Sequence, residues 1–341
     1  MKRIFPKKYE FAHEYSFFLH DILVSIIKDG EGSKLFEVRH KFKDKTEAKN
    51  WNSQKLNGEE FWFWLKSNGY ENIIREYSQK QVFIATLSDF CHYIYTSLKS
   101  SEKGKLSVAY ELIRKPLKEN LLFLEWLLAD PEEFSDNFNK GKVLDIAIAK
   151  ISKEKKIKII SDALNNSKYP SWINAQFIYD LRYSKNVDYG FEKLWNKATH
   201  LITNFEEFKT EDENLNFVFS DNNAKETLWA QYYKILPLLL FHTVQITLGY
   251  ISKIGELPIL DDFFLETRKM IGFTLVLSKD SKNDVILKAA RDTLKGFDLQ
   301  CPLCKQKVKL NKTNLINFYK DSLLECTICH TAFQLNYNRT V

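Results

Sequence analysis

Apolar residues recur at three- and four-residue spacing along most of the chain. Between Tyr15 and Lys28, Phe18, Leu19, Ile22, Leu23, Ile26 and Ile27 fall on one stripe of a helix, because a 3.6-residue turn returns every third or fourth side chain to the same face. Val82, Phe83, Ile84, Leu87, Phe90, Ile94 and Leu98 repeat the pattern from Gln81 to Leu98 around Cys91 and His92, which predicts a second core helix. The broadest apolar face is predicted over residues 105–130, where Val108, Ala109, Leu112, Ile113, Leu117, Leu121, Leu124 and Leu128 align. Pro116 interrupts it. Without an N–H, proline leaves two outcomes: a kinked helix, or one helix ending near Arg114 and another with Pro116 in its first turn. Asp130 and Pro131 close the run.

Further apolar segments run Val143 to Ile151, Ile157 to Leu164, Trp172 to Leu181, Phe191 to Ile202, Thr227 to Ser252, Asp261 to Leu277 and Val285 to Leu294, with Gly296 placed as a C-cap. Phe36 and Val38 alternate with Glu37 and Arg39, predicting a short strand, and Leu215 to Phe219 is β-like. The aromatic run Phe61 to Leu65 is expected to dock a helix onto the body. The fold class is therefore mainly α, a helical bundle-like body over residues 1–296 with any subdivision near residue 100 left open. A small four-cysteine zinc ribbon is expected to follow over residues 297–341.

Composition narrows this reading. With 44% hydrophobic residues and only 11 Gly and 7 Pro in 341, the chain has neither a disordered composition nor the turn residues of a many-stranded sandwich. The segment Ile235 to Ser252 lacks Asp, Glu, Lys and Arg, yet Pro237, His242, Thr243, Gln245, Thr247 and Gly249 interrupt it, so it reads as a core helix and no membrane association is expected. The basic opening from Met1 to Lys8 is followed by no apolar signal region, and four of five cysteines form two pairs, which points to the cytoplasm.

Cys301 and Cys304, then Cys326 and Cys329, make two C-x-x-C pairs separated by 21 residues. Each pair can form a tight knuckle, and two knuckles supply four thiolates at tetrahedral angles, a donor set suited to zinc. The pattern resembles zinc ribbons and related rubredoxin-like or treble-clef modules. Val308 and Leu310, then Ala332, Phe333 and Leu335, are expected to form short strands after the knuckles. Redox dithiols, or His330 replacing one thiolate, are the alternatives.

The formal net charge is +6. Residues 301–341 carry six basic against two acidic residues, so most of the excess sits in this module. On an extended strand Lys305, Lys307 and Lys309 would share one face, able to meet the phosphates of RNA or DNA. A solvated lysine face, with a protein partner elsewhere, is the competing reading.

In the body, Asn196 and His200 stand four residues apart on an apparent helix, with Trp195 preceding them. This resembles the second half of the R-N-x3-H motif of HEPN ribonucleases, helical proteins of toxin and phage-defence systems, with Trp195 at the arginine position. The resemblance implies RNA cleavage by Asn196 and His200, with Arg114 completing the site from another helix. Phosphate-binding glycine loops and common hydrolase signatures do not occur in the chain. The leading expectation is a zinc-containing binding protein, and the alternative is a HEPN-like endoribonuclease.

Overall fold

Helix follows helix, as the spacing predicts. The computed structural model describes residues 5–39, 41–42, 44–53, 58–139, 142–167, 173–204, 209–213, 215–217, 221–260, 262–278 and 283–335. In chain order its helices are α1 (Glu10–Gly32), α2 (Lys45–Ser53), α3 (Gly58–Ser67), α4 (Glu71–Glu102), α5 (Leu106–Lys115), α6 (Leu121–Ala129) and α7 (Pro131–Asn139). There follow α8 (Lys153–Asn165), α9 (Ala175–Tyr183), α10 (Glu192–Thr199), α11 (Asn222–Ile254), α12 (Phe263–Ser278), α13 (Asn283–Leu294) and α14 (Lys312–Asp321). One antiparallel pair, β1 (Leu323–Glu325) and β2 (Ala332–Gln334), completes the set.

The long helix α11 is the axis of the body. Asp221 caps it by accepting from the Ala224 N–H at 2.7 Å, and its apolar residues then point almost all round. It is long and apolar enough to cross a membrane, but 83% of its most apolar window is buried inside this fold. α1 packs along it, and α4 and α6 close the main core. Aromatic rings fill the junctions, among them Phe83 stacked on Tyr250 at 4.3 Å.

At Pro116 the structure takes a course between the two expected. The rod from α5 to α6 neither ends nor restarts: it passes through one wide π-helical turn, Pro116–Asn120, in which the Leu121 N–H reaches back to the Pro116 carbonyl. Such a turn inserts an extra residue and leaves carbonyl groups without their helical partners. The α9 side chains take them, Arg182 Nε donating to Leu117 O at 2.6 Å and Tyr183 Oη to Lys118 O at 2.5 Å. Arg182 Nη1 donates to both Glu125 oxygens at 2.7 Å, and His242 Nε2 lies 2.6 Å from Glu125 Oε1. All three charged or titratable side chains have no exposed surface. The triad thus ties α6, α9 and α11 together at the centre of the body.

Three local expectations are corrected. No strand forms around Phe36: Lys34 adopts φ 61°, the Leu35 N–H bonds to Gly30 O at 2.8 Å, and the chain turns so that the Phe36 ring packs beside Gly30 and Phe83. Val143 to Ile151 forms only a 3-10 turn, Val143–Ile146, with Leu144 71% exposed. Leu215 to Phe217 lie outside any strand, while Val218 and Phe219, like Trp172 and Arg339, lie outside the described residues. The aromatic run of α3 does dock on α4, with the Trp62 and Tyr77 rings 4.9 Å apart.

A second core joins the C-terminal module to the body. Phe264 of α12 and Ala290 and Leu294 of α13 pack with Leu299, Val308, Leu315, Phe318 and Leu324, so this cluster crosses residue 297. Arg268 of α12 donates through Nε to Tyr319 O at 2.8 Å and through Nη1 to Ser322 Oγ at 2.9 Å, and its Nη2 bonds Lys320 O. One guanidinium therefore satisfies the open carbonyl end of α14. Beside it Gly272 allows α1, α12 and α14 to meet: an added Cβ would lie 2.3 Å from Tyr15 Cε2 and 2.9 Å from Tyr319 Oη. Gly272→Ala is expected to lower stability by about 1–2 kcal/mol, overpacking of ~1–3 kcal/mol outweighing a helix-propensity gain of at most ~1. A urea midpoint above wild type would show that the contact is loose.

Candidate metal centre

The two cysteine pairs build the same knuckle twice. In the first, the Lys305 N–H bonds Cys301 O at 2.9 Å and the Cys301 N–H bonds Gln306 O at 2.9 Å. In the second, the His330 N–H bonds Cys326 O and the Cys326 N–H bonds Thr331 O, both at 2.9 Å. The residue after each second cysteine is left-handed, φ 60° at Lys305 and 56° at His330, a conformation that turns the chain back around the sulfurs.

Val308 and Leu310 do not form the short strand expected after the first knuckle, and the chain between the knuckles goes on into α14. Asn311 caps this helix by accepting from the Asn314 N–H at 2.9 Å, and its apolar positions Leu315 and Phe318 face the second core. Only a single bridge, Gln300 to Lys307, stands beside the first knuckle. Ala332 and Phe333 do form a strand, β2, which pairs with β1 in the register Leu324 to Phe333. Sequence reasoning missed Asn314. Its side chain donates to Lys309 O and Glu325 O at 2.9 Å each and accepts from the Glu325 N–H at 2.7 Å, joining the exit of one knuckle to the entry of the other. Its position three residues after a helix-capping asparagine was the available signal.

The result is a closed set of four sulfurs. Cys301 Sγ lies 3.5 Å from Cys329 Sγ and Cys304 Sγ lies 3.6 Å from Cys326 Sγ, and all four fall within 4.8 Å of one another. Sulfurs around a tetrahedral zinc at ~2.3 Å bond length stand about 3.8 Å apart, whereas a disulfide needs ~2.05 Å. The residues present therefore fit a four-coordinate metal ion, with Cys301 and Cys326 fully buried. Proton affinities within the cluster diverge. The Thr331 hydroxyl and N–H pull the Cys329 thiol down to about 6. At Cys304 the Gln306 N–H acts in the same sense, but desolvation and the crowded sulfurs prevail and push it up to about 12. Four thiolates this close repel one another unless a cation sits among them.

His330 is not part of this set; it is exposed, with Nδ1 3.3 Å from Glu325 Oε1. Cys91 is buried in the body with its thiol pushed up to about 12 by burial and by Asp21, an inert packing residue. Lys305, Lys307 and Lys309 are all exposed. Lys307 and Lys309 flank the buried Val308 and share a face, but the left-handed turn at Lys305 takes that residue off the line expected of a strand.

The residues of the HEPN-like motif are placed differently from the expectation. α10 ends at Thr199, and His200 follows in extended conformation at φ −120° and ψ 131°, exposed, so it does not share a helical face with Asn196. Asn196 Nδ2 donates to Glu192 O at 2.7 Å and Glu192 Oε1 at 3.3 Å. Trp195 is fully buried. Arg114, exposed on α5, lines a cavity that Thr199 also borders, while neither Asn196 nor His200 lines it. The His200 N–H bonds Asn196 O at 3.1 Å as the helix ends, and among the described residues no side-chain hydrogen bond or ion pair links the three.

Compared with known protein families, curated proteins and solved structures, the chain matches none, so the HEPN-like resemblance rests on its motif residues alone.

Proposed function

We propose that this chain is a zinc-containing binding protein in which the metal is a structural pin and the neighbouring lysines meet the phosphate backbone of RNA or DNA. The observation that carries the zinc reading is the closure of the donor set: four sulfurs within 4.8 Å use all positions of a tetrahedral ion and leave none for a substrate or water. A reducing compartment such as the cytoplasm keeps such thiolates available. The phosphate reading is supported by Lys307 and Lys309, exposed on either side of buried Val308, with Lys305 on the adjoining turn.

Contacts of this kind bind weakly, with little sequence preference, and release counterions. Titration of labelled single- and double-stranded nucleic acid is expected to give a log affinity against log salt slope of roughly −2 to −3, reduced toward zero in the triple variant Lys305→Gln, Lys307→Gln, Lys309→Gln. Unchanged affinity in that variant, or no binding by wild type at about 50 mM salt, rejects this face and leaves a protein as the partner.

A further inference from the structure

A second basic surface lies in the helical body, away from the cysteines. α5, the π-helical turn, α8 and α9 enclose a cleft of about 790 Å³, within the roughly 300–1,000 Å³ range of small-ligand sites. Arg114, Lys118 and Lys156 line it together with Tyr93, Tyr179 and Tyr183. The two carboxylates that also line it, Glu111 and Glu119, are both exposed.

Its charges are unevenly matched. Three cations converge on the Tyr183 ring, with Arg182 Cζ at 4.9 Å, Lys156 Nζ at 5.3 Å and Lys118 Nζ at 5.9 Å from its centroid. Arg182 is matched by Glu125 at 2.7 Å and Lys118 by Glu192 at 2.6 Å. Half-buried Lys156 donates to a backbone carbonyl, Ile151 O at 2.7 Å, and among the described residues neither it nor Arg114 makes an ion pair. Burial first, then the neighbouring Lys118 and Arg182 charges, lowers the proton affinity of Lys156, and Glu192 offsets this only in part. An anion beside it would relieve that repulsion. The tyrosines add planar surface, the Tyr179 and Tyr183 rings standing 5.2 Å apart.

We propose that this cleft binds a nucleoside phosphate, the phosphate held by Lys156 and Arg114 with Lys118 beside them and the base laid on a tyrosine ring. The chemistry is the same for a free nucleotide and for one nucleotide of a single-stranded RNA, since both offer oxyanions next to a stacking surface. This site is independent of the ribbon lysines.

The full-length protein, titrated calorimetrically with ATP, with inorganic tripolyphosphate and with a short oligouridylate, tests it. Wild type is expected to bind ATP saturably and tripolyphosphate more weakly. Lys156→Gln and Arg114→Gln are each expected to weaken ATP about tenfold, the loss of one charge-assisted contact. Tyr179→Ala should weaken ATP by a similar factor and leave tripolyphosphate unchanged. A free-nucleotide site prefers ATP to the oligouridylate, and an RNA site the reverse. Arg114 is exposed, so its variant reads binding even should Lys156→Gln fold poorly. No saturable binding of any probe, or wild-type affinity in both cation variants, overturns the site. Tripolyphosphate binding as tight as ATP and indifferent to Tyr179 overturns its nucleoside half. Loss of ATP in the ribbon triple variant alone moves the site to the ribbon.

Discussion

Replacing Arg182 by Met is expected to lower the stability of the helical body by about 3–5 kcal/mol, because it strands a buried carboxylate. Glu125 has no exposed surface, and both its oxygens accept from Arg182 Nη1 at 2.7 Å. The same change removes the donor that satisfies Leu117 O at 2.6 Å. Removing both charges, as in Glu125→Met with Arg182→Met, should recover a large part of the loss, since the pair's desolvation disappears with its attraction. Urea unfolding of the two single variants and the double variant measures the coupling, and a single variant within 1 kcal/mol of wild type would place both groups in contact with water.

The triad also sets an acid limit. Burial, reinforced by Arg182, holds the His242 pKa below its ordinary 6.5 despite Glu125. Burial raises Glu125, but Arg182 and His242 prevail and hold it below its ordinary 4.5. In both cases the unfolded chain binds protons that the folded chain refuses, so stability is full above about 6.5 and falls with pH, first through His242 and then through Glu125. The urea midpoint at pH 5 is accordingly expected below that at pH 7, with a smaller gap in His242→Gln. An equal gap would assign the acid sensitivity to other groups.

Cys301→Ser or Cys326→Ser is expected to abolish tight zinc retention, from about one ion per chain, because structural sites of this type bind with ~10–16 kcal/mol only when all ligands are present. Cys301 and Cys326 are also members of the second core. Loss of metal should therefore loosen α13 and α14 while the main core, built around α1, α4, α6 and α11, keeps its far-UV helicity. Metal analysis of protein purified without chelators checks the first claim, and a zinc-free preparation would refute it. Circular dichroism after chelation checks the second, and complete loss of helicity would contradict it.

Much of this architecture was legible in the chain. The stripe from Phe18 to Ile27 and that from Val82 to Leu98 became α1 and α4 because spacing alone decides which face of a long helix meets the core. The four sulfurs came together because C-x-x-C is a local geometry that needs little from the rest of the fold. What stayed hidden depended on distant partners. Phe36 and Val38 alternate as a strand does, but no neighbouring strand exists among the described residues to accept their backbone groups, and Phe36 turns into the core. His200 has the spacing to share a face with Asn196, yet the helix stops one residue before it. Nothing local marks Glu125, Arg182 and His242 as a group, since they are 57 and 60 positions apart along the chain.

The wide turn after Pro116 carries a consequence for how the chain can change over time. Each residue advances an α-helix by about 100°, but the wide turn carries its five residues about as far round the axis as four take in a regular helix, so it absorbs the extra one without changing the way α6 faces. A chain shortened by one codon between 116 and 120 could close this stretch as ordinary α-helix and keep Glu125 turned toward Arg182 and His242. It would also draw the Leu117 and Lys118 carbonyls back toward helical partners, away from Arg182 Nε and Tyr183 Oη. A residue lost inside regular helix has no such outlet, so this turn is where descent can change the length of the rod and keep its faces.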